Sequence, residues 1–505
     1  MSGIECVPHC SQVRYPSICL TFSVPARLET DTDKATNLYR LEHGINMRKN
    51  FLVLFMGLSV LLTANTASAK NTKVHEYNLD NGLKLLVKED HRAPVVVSQV
   101  WYKVGASSEY NGITGVSHVL EHMMFKGTDK IKPGDFSKII KENGGRDNAF
   151  TGRDYTAYFQ LLEKSRLEVS FEMEADRMRN LTLPAEEFKK EIEVVKEERR
   201  MRTDDKPRSL TYEQFNSIAY DNNPYKNPII GWMDDLDNMN VDDLRYWYQK
   251  WYAPNNATIV VVGDVDPDEV HALAIKHFGP LKKEDVATLK PRKERKQLGP
   301  RRVTVRAPAQ VPYMLMGYKV PVLRTVEHEW EPYALEVLAG VLSGSGSSRF
   351  PKILVRDKQV AVSADVGYNM HAKYDEMFLF DAVPAQGQTM ESVEQAIMEQ
   401  IEIIKKEKVS DAELNRVKAQ VIAGDVYEKD SVFYQAMVIG TLETVGLRWQ
   451  MADDYLTMIK SITPEQIQQV AKKYFVDDHL TVAVLEPQSM DGKQQRSPNP
   501  VSTRH

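Results

Sequence analysis

Lys250-Trp-Tyr-Ala-Pro-Asn-Asn-Ala-Thr-Ile-Val-Val-Val262 decides the fold, because a weaker copy returns as Lys473-Tyr-Phe-Val-Asp-Asp-His-Leu-Thr-Val-Ala-Val-Leu485. In both, a polar helix ends in aromatic residues, a turn follows, and a β-branched strand runs out. Thr258 and Thr481 hold the same place in the two copies, 223 residues apart. That spacing is close to half of the chain that follows residue 70, so the copies read as duplicated domains. Around them, strand-like runs at 83–87 and 95–104 alternate with long helical stretches such as 163–179. The mixture predicts an α+β fold: two homologous domains, each a mostly antiparallel sheet with helices packed on it.

Working outward, the first domain is expected over 70–285 and the second over 303–487, joined by a linker at 286–302. The linker's basic residues suit a polyanion, but a solvated connection is the preferred reading. Beyond it the tail 488–505 is rich in Ser, Gln, Pro and Asn, lacks apolar periodicity, and reads as disordered. At the other end, Met47-Arg-Lys49, the apolar run 51–62 and Ala67-Ser-Ala69 make the three regions of a secretory signal. Its apolar run has 12 residues, against the roughly 20 that cross a bilayer. A short buried helix or an uncleaved anchor are the alternatives. Residues 1–46 then read as a mis-assigned extension before a start at Met47, and the mature chain as periplasmic, with no stable membrane span once the signal is cleaved.

Composition narrows the chemistry. The 505 residues are 42% hydrophobic and 27% charged, a globular mixture that excludes a wholly disordered chain or a multi-span membrane protein. A formal charge of −5 gives no global basic excess for nucleic acid or anionic lipid. Cys6, Cys10 and Cys19 all precede the signal, so the mature chain has neither a disulfide framework nor a thiol nucleophile.

One segment carries metal chemistry: Thr114-Gly-Val-Ser-His-Val-Leu-Glu-His-Met-Met-Phe125. On a helix, Val116, Val119, Leu120, Met123 and Met124 gather on one side, and His118, Glu121 and His122 on the other. Imidazoles at i and i+4 can grip one cation while the carboxylate between them faces the same space. The order H-x-x-E-H is that of inverzincins, although ordinary histidines without a ligand also fall into such patterns. A catalytic zinc wants a third protein ligand. A helix expected over 184–201, capped by Thr182, carries Phe188, Ile192 and Val195 as its apolar stripe. Glu191 and Glu198 border that stripe, whereas Glu197 points to solvent. Glu198 is thus the better ligand. Glu191 is either a group that orients a ligand or one more acid on a charged helix.

With those residues in view, the chain resembles the pitrilysin/insulinase family of zinc metallopeptidases, in particular its bacterial two-domain members, similar to mitochondrial processing peptidase subunits. The likeness runs through Asn148-Ala-Phe-Thr-Gly-Arg-Asp-Tyr-Thr-Ala-Tyr158, Asn223-Pro-Tyr-Lys-Asn-Pro-Ile-Ile-Gly231 and Trp251-Tyr-Ala-Pro-Asn-Asn256. The resemblance implies that His118, His122 and Glu198 hold one Zn2+, that Glu121 is the general base, and that Glu191 assists. It also implies that Asn148, Ala149, Phe150 and Thr151 form an edge strand on which an extended peptide is laid by strand addition. Two such domains form half of a clamshell chamber.

The resemblance breaks in the second half. Self-sufficient relatives supply an arginine and, about seven residues on, a tyrosine that steady the oxyanion. Here Arg356 is present, but the tyrosine position reads Ser363 or Val362, and Tyr368 lies too far along. A homologous, non-catalytic partner that supplies the missing pair is expected, with a homodimer as the alternative. The leading function is a periplasmic zinc endopeptidase acting on short or unfolded peptides. Its rival is a non-catalytic scaffold or assembly subunit of a heteromeric complex, which the intact His118, Glu121, His122 and Glu198 disfavour.

Overall fold

Eleven strands form two sheets in a computed structural model of the chain, which describes residues 73–290 and 292–490. The signal at 47–69 and the extension before it lie outside the described residues, as does most of the tail. The first sheet uses β1 (Val74–Asn78), β2 (Lys84–Glu89), β3 (Val95–Tyr102), β4 (Arg146–Thr151), β5 (Thr156–Glu163) and β6 (Ala257–Gly263) in the order β1-β2-β6-β3-β5-β4. The second uses β7 (Arg301–Pro308), β8 (Tyr313–Val320), β9 (Ala361–Gly367), β10 (Glu376–Pro384) and β11 (Leu480–Gln488) in the order β7-β11-β8-β10-β9. Without β1, the orders coincide. Each sheet has one parallel pair, β2 with β6 and β7 with β11, and is otherwise antiparallel. The fold is α+β in both halves.

The repeated sequence does in each half what its pattern predicts. Helix Val241–Trp251 passes through a short turn at Pro254–Asn256 into β6, and helix Pro464–Tyr474 passes through Asp477–His479 into β11. Tyr252 and Phe475, the aromatics just past each helix, are both buried. Thr258 faces Trp101 across β6 and β3, and Thr481 faces Gly317 across β11 and β8. Trp101 and Gly317 therefore occupy the same seat in the two sheets.

What the pattern did not predict is an exchange of helices. Helix Pro207–Ala219 of the first half packs on β7 and β11 of the second sheet. Helix Val432–Thr444 of the second half packs on β3 and β6 of the first. The seats fill in opposite ways. Under the first helix, a β-carbon at Gly317 would lie 3.0 Å from Phe215 Cζ, so the ring comes from the helix. Under the second, Gly440 gives up its side chain and Trp101 fills the space from the strand, leaving 2.1 Å for a β-carbon. Polar links tie the same seam. Arg153 Nη1 donates to Glu376 at 2.9 Å, Lys84 Nζ to Glu443 at 2.8 Å, and Asn223 Nδ2 to the Asp375 carbonyl at 2.8 Å.

Four local expectations need correction. The helix expected over 163–179 starts only at Leu167, because β5 runs to Glu163 in register with Val95 and a short turn follows. Thr182 does not cap helix Ala185–Arg199: its hydroxyl donates to the Gly127 carbonyl, and Pro184 takes the cap position. Arg301 and Arg302, placed in the linker, already belong to β7, paired with Thr481 and Val482. Gln488, placed in the tail, is the last residue of β11. Within the linker, Glu294 is an anchor: its carboxylate accepts the backbone N–H groups of Asp221, Asn222 and Asn223 and the Lys319 ammonium.

Candidate metal centre

The histidines sit on helix Val116–Met123, whose buried Val116, Val119, Leu120 and Met123 press on the first sheet's core. Its start is built from outside. Gly115 has φ +87 and packs so closely on the 230–231 backbone that a β-carbon would fall 2.6 Å from the Ile230 carbonyl. The Glu109 carboxylate, fully buried, accepts the N–H of Gly115 at 2.7 Å and of Ser117 at 2.9 Å. It satisfies donors that every helix N-terminus leaves free. Burial pushes its carboxyl up to about 7. Asp235 holds the preceding turn through Thr114 N and Oγ1, and Trp247 Nε1 donates to Ser117 Oγ. The stretch 223–231, quoted above for its likeness, thus abuts the base of the histidine helix.

Helix Ala185–Arg199 lies alongside, with Phe188, Ile192 and Val195 buried as expected and Glu197 out in solvent beside Arg200. A single π-helical turn, Arg200–Asp204, follows Glu198 at once, a deformation that often accompanies functional sites. Glu198 Oε1 lies 3.9 Å from His118 Nε2, and Oε2 lies 3.5 Å from His122 Nε2. One donor atom from each of the three residues falls within 4.8 Å of the others, and no other such group occurs among the described residues.

This donor set fits zinc. Two imidazoles and a carboxylate are a common catalytic ligand set, and bonds of about 2.0–2.1 Å in tetrahedral geometry put donors about 3.3 Å apart. The Glu198 contacts, at 3.9 and 3.5 Å, already approach that spacing. Burial, helped by the His122 charge, drives the His118 imidazole down to about 3, so it is neutral with a lone pair to give. Burial pulls His122 the same way, but the Glu191 and Glu198 carboxylates raise it to about 9. Glu198 would be raised by burial, yet His122, His118 and Arg202 hold it down to about 2. Arg202 Nη1 rests on Glu198 Oε1 at 2.7 Å.

Glu121 stands between the two histidines in sequence, on the same helix. Thr151 Oγ1, at the end of β4, donates to its Oε2 at 2.5 Å. Burial raises the Glu121 carboxyl, with His122 and Thr151 opposing. Glu191 lies behind His122: its Oε2 is 3.3 Å from His122 Nδ1 and its Oε1 is 2.6 Å from Lys126 Nζ. β4 is the edge of its sheet, with β5 its sole strand partner among the described residues. Along it, Ala149 and Thr151 alternate with Asn148 and Phe150. Asn148 is exposed and its Oδ1 accepts the Ala149 N–H, while the Phe150 ring meets the edges of Trp101 and Tyr155.

The second half keeps its candidates apart from this cluster. Arg356 is exposed near the end of the π-helical segment Phe350–Asp357. Val362 and Ser363 lie on β9, the edge strand that corresponds to β4. Tyr368 is engaged elsewhere, its hydroxyl donating to the Pro321 carbonyl at 2.6 Å. Glu109, Asp235, Lys126 and Arg202 were missed in the sequence. Lys126 and Arg202 had a legible signal, each standing four residues beyond a member of the cluster, His122 and Glu198.

A family model described as Insulinase (Peptidase family M16) matches residues 84–232, and one described as Peptidase M16 inactive domain matches 238–421. The "Zinc protease PqqE" of Helicobacter pylori is 33% identical over 450 residues, 87% of this chain and 99% of that protein. The chain belongs to the insulinase (M16) peptidase family. Another family relative, the "Uncharacterized zinc protease YmxG" of Bacillus subtilis, is 26% identical over 415 residues, 82% of this chain and 98% of that one. Among solved structures, a protease from Helicobacter pylori matches at a TM-score of 0.78 and 33% identity, covering 82% of this chain and all (100%) of that one. The periplasmic protease PqqL of Escherichia coli shares the insulinase-family fold at a TM-score of 0.69 and 19% identity, and the match covers 82% of this chain and 48% of that one.

Proposed function

We propose that this insulinase-family chain is a zinc endopeptidase of extended peptides. The observation that carries the reading is the convergence of His118, His122 and Glu198 with Glu121, beside the open edge of β4. His118 Nε2, His122 Nε2 and a Glu198 oxygen would hold the ion. When bound, zinc supplies a Lewis acid that lowers the pKa of water toward neutrality and polarises the scissile carbonyl. The remaining work belongs to the chain. Residues 148–151 pair with the peptide backbone along the free edge and hold the bond to be cut beside Glu121. The Glu121 carboxylate takes the proton of the attacking water and passes it to the leaving amine. Thr151, bonded to Glu121 Oε2, fixes which oxygen stays free for that transfer. Recognition through backbone predicts loose sequence preference.

The signal pattern at 47–69 supports export to the periplasm. No helix among the described residues is long and apolar enough to cross a membrane. A homologous partner is proposed to complete the chamber and to supply the tyrosine absent from β9. The PqqL match supports this, since a fold like this chain's accounts for about half of that longer protein. A second reading, a non-catalytic subunit, draws on the match of residues 238–421 to an inactive-domain model. The test is hydrolysis of a quenched fluorescent peptide library by the chain and by Glu121→Gln, with and without a chelator. Chelator-sensitive cleavage absent from the variant supports the peptidase. Equal background from both, persisting when homologous chains are added, supports the non-catalytic subunit.

A further inference from the structure

Lys126 stands one turn beyond His122, just past the end of the histidine helix, where its N–H donates to the Met123 carbonyl at 3.0 Å. The chain then turns at Gly127, which has φ +101 and no room for a β-carbon within 2.8 Å of the Ile131 carbonyl. Ahead of this turn, the lysine ammonium sits against Glu191. The result is a relay: Lys126 Nζ to Glu191 Oε1 at 2.6 Å, and Glu191 Oε2 to His122 Nδ1 at 3.3 Å. Each oxygen of Glu191 has one partner, so the carboxylate plane is fixed at two points. Both side chains are mostly buried, at 17% and 10% exposure. Without Lys126, one oxygen loses its donor and the other keeps only a long contact.

The two histidines are not supported alike. His118 Nδ1 is buried and has no hydrogen-bond partner among the described residues. The one polar group that turns an imidazole of this pair from behind is therefore Glu191, and what fixes Glu191 is Lys126. We infer that Lys126 is a positioning residue for the metal, acting through Glu191 to aim the His122 Nε2 lone pair at the ion. Lys126 is not itself a ligand: its ammonium pairs with Glu191, while Arg202 is the cation on Glu198. Groups that orient a ligating histidine typically change metal affinity 10–100-fold when removed.

This inference rests on the zinc reading above, and its test separates the two. The dissociation constant for Zn2+ is measured by competition with a chromophoric chelator on the full chain, on Lys126→Met, Lys126→Arg and Glu191→Gln, and on the Lys126→Met/Glu191→Gln pair. Thermal melting without metal reports folding. Lys126→Met should bind zinc 10–100-fold more weakly, Lys126→Arg should recover most of that loss, and the pair should bind no worse than Glu191→Gln alone. Undiminished binding by Lys126→Met overturns the inference, as does an equal loss with and without Glu191, or an arginine no better than methionine. Should Lys126→Met fail to fold, Lys126→Gln takes its place in the same comparison. A wild-type chain that binds no zinc overturns the zinc reading first and this one with it.

Discussion

Replacing Gly440 by alanine should destabilise the chain, although a glycine inside a helix ordinarily gains from that change. The new β-carbon would lie 2.1 Å from Trp101 Cε2, 2.3 Å from Nε1 and 2.6 Å from Cζ2. Carbon atoms in good contact sit about 3.5–4.0 Å apart, so ring or helix must retreat by roughly 1.5 Å. The indole has nowhere to go. It is fully buried, its Nε1 donates to Gln99 Oε1 at 2.9 Å, and its faces and edges meet Phe150 and Tyr155 at 5.5 and 5.0 Å. Overpacking of this kind costs about 1–3 kcal/mol, and the fixed ring argues for the upper end. Alanine returns about 1 kcal/mol of helix propensity, leaving a net loss of about 2 kcal/mol. Urea unfolding followed by tryptophan fluorescence measures it. Gly424, in helix Asp411–Glu428, is the control, since nothing lies within 4 Å of its β-carbon position. Gly424→Ala should stabilise by about 0.5–1 kcal/mol. A Gly440→Ala chain as stable as wild type, or more so, would refute the packing argument. Trp101→Leu should recover part of the loss in the Gly440→Ala background, as a coupled pair must.

Glu121→Gln should lower kcat/KM by about 10²–10⁴-fold while leaving zinc content and stability intact, since the amide keeps an acceptor for Thr151 and removes a buried charge; retention of more than a tenth of the activity would remove Glu121 from the base role. Glu109 sets a pH dependence. Its folded pKa, about 7, lies above the ordinary 4.5, so the folded chain holds a proton that the unfolded chain has released. Its contribution is full below about 4.5 and is lost as pH rises to about 7, a slope on the order of a few kcal/mol in total. Urea midpoints between pH 5 and 8 should fall, and Glu109→Gln, which cannot titrate, should flatten the fall. Arg356→Ala should leave stability within about 0.5 kcal/mol, because the residue is exposed, and should lower kcat/KM; unchanged kinetics would exclude Arg356 from substrate contact.

The convergence of His118, His122 and Glu198 was legible because its information is local. His118, Glu121 and His122 declare themselves by spacing on one helix, and Glu191 and Glu198 by their place beside an apolar stripe. The supports of that helix were not legible, because Glu109 and Asp235 reach its start from outside the helix and no local cap pattern marks them. The repeat was readable for the same local reason, each copy keeping helix, turn and strand. The exchanged helices were not. A buried face in the sequence says that something covers it, not which sheet does. Nor was the buried Arg177 of helix Leu167–Arg179 legible: it pairs with Glu174 and lies over the rings of Phe136 and Tyr158. Thr182 looked like a cap, but tertiary packing gave its hydroxyl the Gly127 carbonyl.

Because the helix that covers Trp101 is itself near the other end of the chain, the order of synthesis matters. The first sheet is complete at Gly263 with that face bare, and its cover follows roughly 170 residues later, on the order of 20 seconds at ~10 residues per second. During that interval the sheet is unable to finish its core, whatever its local preferences.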